Sequence, residues 1–452
     1  MPVTNDPAVL LTPQGQELLA RLAAPADAAT SPLALAERLR REYPADLVAA
    51  AMAQRDLRRV AEAKFSRAAD MLFTRAGYEQ SSSETIARYR AGRLRHAKRI
   101  ADLCCGIGGD LIALAAASPV VDNTVVDNTV VDNTGLGNTV LAVDRDEIHA
   151  RLALHNAAVY GRAERVTAVV ADVRDVRLTD IDAVFIDPAR RSGPGTASAP
   201  DARRYRVGTS QPPLDWCVSL AREVEAVCIK AAPGIPEELI PAGWEAEFIA
   251  EARDLKEAVL WSPALATAPP ADARPGGAGR PRRATVMAPS PAGHALRSYT
   301  LVAHPGEPVP LREPGEYLLD PNPAVTRAGL VEDLARALDD DPFGHDPLTR
   351  AIAKIDPQIA FLTLDRDVRT PFARTLRVQH SAPWHEKQFA KRLRELDIGA
   401  VDIRRRGLAG DVDQIRRRLK LEGKARATVV ITRVSNNPWG LICANPDDTA
   451  TA

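Results

Sequence analysis

One stretch constrains this chain more than any other: Asp102-Leu103-Cys104-Cys105-Gly106-Ile107-Gly108-Gly109-Asp110. It follows Lys98-Arg99-Ile100-Ala101 and precedes an apolar run of helical spacing. The order reads as strand, glycine turn, helix. Glycine permits positive φ and removes the side chain that would block a close approach to the backbone. The helix that follows aims its first N–H groups at whatever occupies that space. A second signal, Asp187-Pro188-Ala189-Arg190, closes another apolar run further along.

Bulk properties narrow the class. At 452 residues there is room for two or three domains. The formal net charge is zero, so any contact with a polyanion must come from a local patch. Five cysteines without CxxC pairs or Cys/His spacing argue against a disulfide scaffold and against a metal site. Met1 to Gln14 lacks a basic head followed by an apolar core, so no secretory leader is expected. No apolar run approaches the roughly 18 residues that would span a bilayer. The expectation is a cytoplasmic protein with neither membrane nor metal as partner.

Periodicity divides the chain. Residues 1–95 read as a helical region, with Leu18, Leu19, Leu22, Leu35, Leu39 and Leu47 at helical spacing and breaks at Pro25, Pro32 and Pro44. The helical pattern continues from Ala61 through Phe73. From 96 to 302 apolar strands (Arg99–Leu103, Val140–Val143, Val166–Val170, Ala183–Ile186, Val227–Ile229) alternate with helices (Asp110–Ala117, Asp146–Tyr160, Leu214–Val224). That alternation predicts an α/β fold with a Rossmann-like, largely parallel sheet and ligands at the carboxyl ends of the strands. The repeated Val-Val-Asp-Asn-Thr within the insertion at 120–139 reads as a lengthened loop away from the ligand side. The Pro/Ala/Gly/Arg-rich segment 264–284 reads as a flexible excursion. Residues 303–323 read as a linker, and 324–447 as a C-terminal α+β module of ferredoxin-like character.

The glycine turn has neither the G-x-G-x-x-G spacing of dinucleotide folds nor the Lys-Ser/Thr of a P-loop. Asp110 would repel phosphates. A ligand without phosphates fits better, and S-adenosylmethionine is one. Asp102 would accept from its amino group. Asp144, closing the second strand, offers two oxygens to the paired ribose hydroxyls. Asp172, closing the third, suits an adenine amino group. Each of these acids has a plainer reading as a cap or turn residue.

The run Asp102 to Ile112 resembles the cofactor motif of class I S-adenosylmethionine-dependent methyltransferases, above all the D-x-F-C-G-x-G-G form of trimethylguanosine synthase and related RNA base methyltransferases. Cys104 stands where Phe or Gly is usual. The resemblance covers roughly residues 95–290. It implies that Asp102, Cys104, Gly106, Gly108, Asp144 and Asp172 bind the cofactor. It also implies that Asp187, Pro188, Ala189 and Arg190 fill the place of the D/N-P-P-Y/F/W motif, which orients an exocyclic amino group. Arg190 replaces the aromatic residue that would stack on the base; Tyr205 or Trp216 would supply the ring instead. Lys230 ends the fifth strand on the same side and is a candidate for substrate phosphate. The segment Tyr317–Pro323 and the module at 361–445 resemble the THUMP-like C-terminal domain of an actinobacterial methyltransferase family, on Thr370-Pro371-Phe372, Arg404-Arg405-Arg406-Gly407 and the helix that follows.

The C-terminal module carries the local basic signal. From His385 to Arg426 there are 13 Lys/Arg against 7 Asp/Glu, so a cationic face is predicted from Arg404, Arg405, Arg406 and the flanking helices. Such a face grips a phosphate backbone without reading sequence. The expected function is therefore S-adenosylmethionine-dependent methylation of an exocyclic amino group on an RNA base. The alternatives are a protein or small-molecule acceptor, or a binding protein without catalysis.

Overall fold

The computed structural model describes residues 6–23, 31–117, 138–190, 210–269, 279–289, 296–339 and 351–444. The chain divides into two compact units, Met1–Trp244 with Val259–Ala266, and Glu245–Ala258 with Thr267–Ala452. The repeat at 120–134 and Tyr205 lie outside the described residues.

The first unit carries five parallel strands: β1 (Arg99–Leu103), β2 (Thr139–Asp144), β3 (Val166–Val170), β4 (Ala183–Ile186) and β5 (Ala226–Ala231). They lie in the order β3-β2-β1-β4-β5. All four residues of β4 and the last four of β1 are buried, the continuous apolar pattern of strands covered on both faces. The strand order reverses between β1 and β4, which makes their carboxyl ends the natural ligand crevice. Helices Gly109–Ala116 and Glu147–Val159 follow β1 and β2. Asp146 caps the second of these by accepting from the N–H groups of Ile148 and His149 at 2.8 and 3.3 Å.

Helices Pro13–Leu22, Pro32–Leu39 and Ala45–Ala61 precede the sheet. The first two start with proline behind the capping hydroxyls of Thr12 and Ser31. Their leucines form one core with Phe65, Phe73, Ile107 and Leu152, so the N-terminal helices pack directly on the glycine turn. One expectation is corrected here: the helix stops at Ala61, and Met71–Phe73 is not helical. Two buried amides take the backbone of that stretch instead. Gln54 donates to the Phe73 carbonyl at 2.5 Å and accepts its N–H at 2.9 Å. Asn156 accepts the Leu72 N–H at 2.9 Å and donates to the carbonyls of Leu72 (3.0 Å) and Ile107 (2.8 Å).

In the second unit, strands Glu245–Glu251 and Arg282–Pro289 pair in parallel, and Leu296–Val302 joins the latter antiparallel. Arg282–Ala284, read as the end of a flexible excursion, thus begins a strand in which Arg282 and the run Ala284 to Met287 are buried. A separate seven-stranded sheet includes Tyr317–Pro321, Leu362–Leu364, Ala373–Pro383, Ile398–Arg405, Ala425–Val434 and Asn437–Ala444. Tyr317–Pro321 falls in the stretch read as linker, yet Leu318 and Leu319 are fully buried and pair with strands on either side. Helices Glu386–Glu395 and Val412–Leu419 cover one face through Phe389, Leu393 and Leu419.

Replacing Asn156 by Ala strands two backbone carbonyls and an N–H in a dry interior, each worth about 1–3 kcal/mol. Urea unfolding of the full chain is expected to show a loss of at least about 3 kcal/mol; an unchanged midpoint would remove Asn156 from the framework of the turn.

Candidate active site

The glycine turn is wound more tightly than its glycines alone require. Cys104 (φ +64°), Gly106 (φ +53°) and Gly108 (φ +87°) all lie in the left-handed region, which costs a non-glycine residue about 1–2 kcal/mol. The N–H groups of Cys104 and Cys105 both donate to the Val143 carbonyl, at 2.9 and 3.1 Å, which ties the turn to β2. The two glycines serve different ends. A Cβ on Gly108 would come within 3.0 Å of the Ala153 backbone, so this position lets two helices meet. A Cβ on Gly106 would meet nothing within 4 Å and would project into open space, a cradle for a ligand. The thiols of Cys104 and Cys105 are pushed up by burial and neighbouring carboxylates, and they pack as small uncharged side chains.

Asp144, at the end of β2, reaches back to this cradle. Its Oδ2 accepts the Gly106 N–H at 2.9 Å and its Oδ1 the Asp146 N–H at 3.0 Å, with His149 Nδ1 3.9 Å away. Burial raises its pKa, but the nearby His149 ring and the N–H groups of Asp146 and Gly106 outweigh it and hold the carboxyl below the usual range. The same contact raises the His149 pKa against its own burial. Each Asp144 oxygen keeps a lone pair, the pattern a vicinal diol needs.

Asp102 lies beneath the turn with 0% exposure, and neither oxygen has a hydrogen-bond partner among the described residues. Burial, then the charges of Asp110, Asp187 and Asp144, push its pKa well above the carboxylate range, and Arg90 only partly offsets them. Asp110, read in the sequence as a barrier to phosphate, is held by Arg90. That guanidinium is 1% exposed, also donates to Ser82 Oγ at 2.7 Å, and lies 5.3 Å over the Phe185 ring.

Asp187 follows β4, and its N–H donates to the Leu103 carbonyl at 3.2 Å, which places it beside the start of the glycine turn. Lys230 Nζ, from β5, lies 2.6 Å from its Oδ2 and also donates to the Gln80 carbonyl at 3.4 Å. Lys230 therefore answers Asp187 first. Pro188 is half-buried, and Ala189 and Arg190 pair antiparallel with Gln211 and Ser210. The side chain of Arg190 lies outside the described residues, as does Tyr205. Trp216 is half-buried on the helix Leu214–Ser219. Asp172 stands just beyond β3, but Arg174 already grips it: Oδ1 accepts from Nε at 2.9 Å and Oδ2 from Nη2 at 2.6 Å. That pair holds its carboxyl far below the usual range. Arg404, Arg405 and Arg406 belong to the second unit.

Sequence reasoning passed over Arg90, Asn156 and His149. A buried arginine in a polar helix and an asparagine inside an amphipathic one look like surface residues when the chain is read alone. His149, two residues into the helix Glu147–Val159 and five beyond Asp144, is the one with a positional cue.

Family models agree with this geometry. Residues 97–195 match the model described as RNA cap guanine-N2 methyltransferase, 373–445 the THUMP domain-like model, and 4–61 a domain of unknown function. A protein from Mycobacterium tuberculosis, in strains CDC 1551 and H37Rv, is 31% identical over 370 residues, covering 80% of this chain and 85% of its own; it is described as an uncharacterized S-adenosylmethionine-dependent methyltransferase. The chain belongs to the S-adenosylmethionine-dependent methyltransferases. The solved structure of a Porphyromonas gingivalis W83 protein assigned as a methyltransferase has the same fold, with TM-score 0.69 and 18% identity over 95% of this chain and 98% of that one. The methyltransferase cofactor is a sulfonium with an ammonium group, and the site suits it. Four carboxyl groups gather at the turn, one of them buried without a partner, and an open cradle faces Gly106. Among the described residues no cluster of His, Cys, Asp or Glu could hold a metal, and no helix is long and apolar enough to cross a membrane.

Asp144→Ala is expected to weaken S-adenosylmethionine binding at least tenfold by calorimetry, with Asp172→Ala costing less because Arg174 already occupies that carboxylate. His149 gains its partner in the folded state, so its contribution is fully present below its unfolded pKa and fades as pH rises through the raised folded value. The stability difference between parent and His149→Ala should therefore shrink from pH 6 to pH 9; a constant difference would break the assigned pairing.

Proposed function

We propose that this methyltransferase modifies an exocyclic amino group of an RNA base. The observation that carries the reading is the placement of Asp187: its backbone is bonded to the end of β1 and its carboxylate is anchored through Oδ2 by Lys230. Oδ1 is left to accept an N–H of the incoming amine. That bond turns the nitrogen lone pair away from the carboxylate, and holding such a geometry supplies much of the rate in a displacement of this kind. The bound cofactor supplies an electrophilic methyl group. Once the N–C bond has formed, the nitrogen carries one proton too many, and Asp187 is placed to hold it. Lys230 holds that carboxylate in place through Oδ2 and is itself steadied by the Gln80 carbonyl.

The RNA part of the reading is supported by the two family models and by the arginines of the C-terminal strands. In this reading residues 1–95 and 96–302 build the catalytic part, with Asp102, Asp144 and Asp172 on the cofactor, and residues 324–447 hold the RNA. Arg190, and Tyr205 or Trp216, contact the base.

Full-length protein incubated with tritiated S-adenosylmethionine and separate pools of total RNA, protein and metabolites is expected to label RNA, with the label in an N-methylated base after hydrolysis. Asp187→Ala should reduce transfer by about 100-fold while leaving cofactor affinity within a few-fold of the parent. Label in protein, or in ribose methyl groups, would overturn the acceptor assignment.

A further inference from the structure

Within the second unit, the geometry points to a phosphate-binding cleft built from Arg253, Arg404, Arg405 and Arg406, with Arg374 behind them, which we infer grips a phosphate of a polynucleotide strand. The source of that phosphate rests on the RNA acceptor proposed above; the cleft does not.

The cleft encloses about 550 Å³ between the Ala252–Arg253 turn, the start of the helix Pro323–Ala328, and the end of the strand Ile398–Arg405. Pro323, Ile403 and Val412 form its apolar walls. At its base sits Asp320, whose side chain is only 3% exposed. One oxygen of this carboxylate takes Arg253 at 2.7 Å and the other takes Arg406 at 2.9 Å. Arg253 also donates to the Asp320 carbonyl, and Asn322 donates to the Ala252 carbonyl at 2.7 Å, so the turn is pinned in place. Arg406 is fixed further by the Ala360 carbonyl and lies 4.7 Å over the Phe361 ring.

A single carboxylate thus orients two guanidiniums while neutralising the equivalent of one. Arg374 stands opposite Asp320 in the strand register, and its Nε and Nη2 are buried without a hydrogen-bond partner among the described residues. Its nearest acid is Asp402 at 4.0 Å, which already serves Arg404 at 2.9 Å. Asp411, the remaining acid near Arg405, is engaged by the N–H groups of Asp413 and Gln414. Five guanidiniums therefore face three carboxylates, all of them committed. At Arg253 burial lowers the pKa and Asp320 opposes it, while Arg374, Arg404 and Arg406 lower it further. A cleft with surplus positive charge attracts an anion, and planar guanidinium forks match phosphate oxygens. The volume admits a phosphate together with its sugar.

The helices that also looked basic in the sequence are different. Arg416 pairs with Asp413, Arg418 with Glu386, and Lys391 and Arg392 with Glu395. Their charge is spread over exposed, internally balanced pairs.

The test uses the full chain with Arg404→Gln/Arg405→Gln, which leaves the Arg253–Asp320–Arg406 bridge intact, and with Arg416→Gln/Arg418→Gln as a variant of equal charge change. Fluorescence anisotropy with a labelled single-stranded RNA 12-mer across a salt series, and calorimetry with pyrophosphate, supply the readouts. The cleft variant is expected to bind RNA at least tenfold more weakly, with the slope of log K against log salt reduced by about 1, while the helix variant stays within about twofold. Pyrophosphate should bind the parent and compete with RNA. If pyrophosphate binding is lost in the cleft variant while RNA affinity is unchanged, the phosphate cleft stands and its ligand is a small phosphorylated compound. Equal losses in both variants, or no loss of either ligand in the cleft variant, would overturn the inference. Methyl transfer to protein in the preceding assay, alongside loss of RNA binding here, would sink the acceptor alone.

Discussion

The hydrogen bond from the Gly106 N–H to Asp144 joins the ends of two adjacent parallel strands, and the active site is organised around it. It turns a flexible glycine loop into one conformation, aims a carboxylate at the space where Gly106 has no neighbour, and leaves that carboxylate lone pairs for a diol. Gly108 supplies the matching condition on the other side, since the helix Glu147–Val159 reaches the turn only because no Cβ intervenes. Asp187 then enters from the neighbouring strand, so in the proposed reading the elements on either side of the strand-order reversal supply cofactor site and acceptor site respectively.

Electrostatics reinforces this placement. Four carboxyl groups near the turn would repel one another, and the structure handles them unequally. Asp110 and Asp187 receive cations from Arg90 and Lys230, Asp144 receives N–H groups, and Asp102 is pushed toward its neutral form. A cation entering this site meets partners already fixed in position, so little reorganisation remains to oppose binding.

What was legible in the sequence is what depends on local pattern. The apolar runs marked the five parallel strands, most directly β1 and β4, because strands buried on both faces must be apolar throughout. The spacing from Asp102 to Asp110, and Asp144 and Asp187 at strand ends, pointed to the candidate site because turns and strand termini are specified over a few residues. Less legible were interactions that join distant segments. Nothing between Ala61 and Phe73 announces a helix stop, because the amides that replace the helical bonds come from Gln54 and Asn156. Arg90 and Arg406 read as surface charges, yet each lies over an aromatic ring and pairs with a largely buried acid. Tyr317–Pro321 was hidden by the prolines around it.

The shared core of the N-terminal helices and the glycine turn has a further consequence. Leu18, Leu35 and Val48 belong to the same cluster as Ile107 and Leu152, so the first helices cannot loosen without disturbing the turn. A ligand that binds only the folded form stabilises everything that unfolds together with its site, by about 2.7 kcal/mol at a hundredfold excess over its Kd. Whatever steadies the turn therefore steadies Leu18, Leu35 and Val48 with it, and the N-terminal helices and the glycine turn stand or fall as one piece.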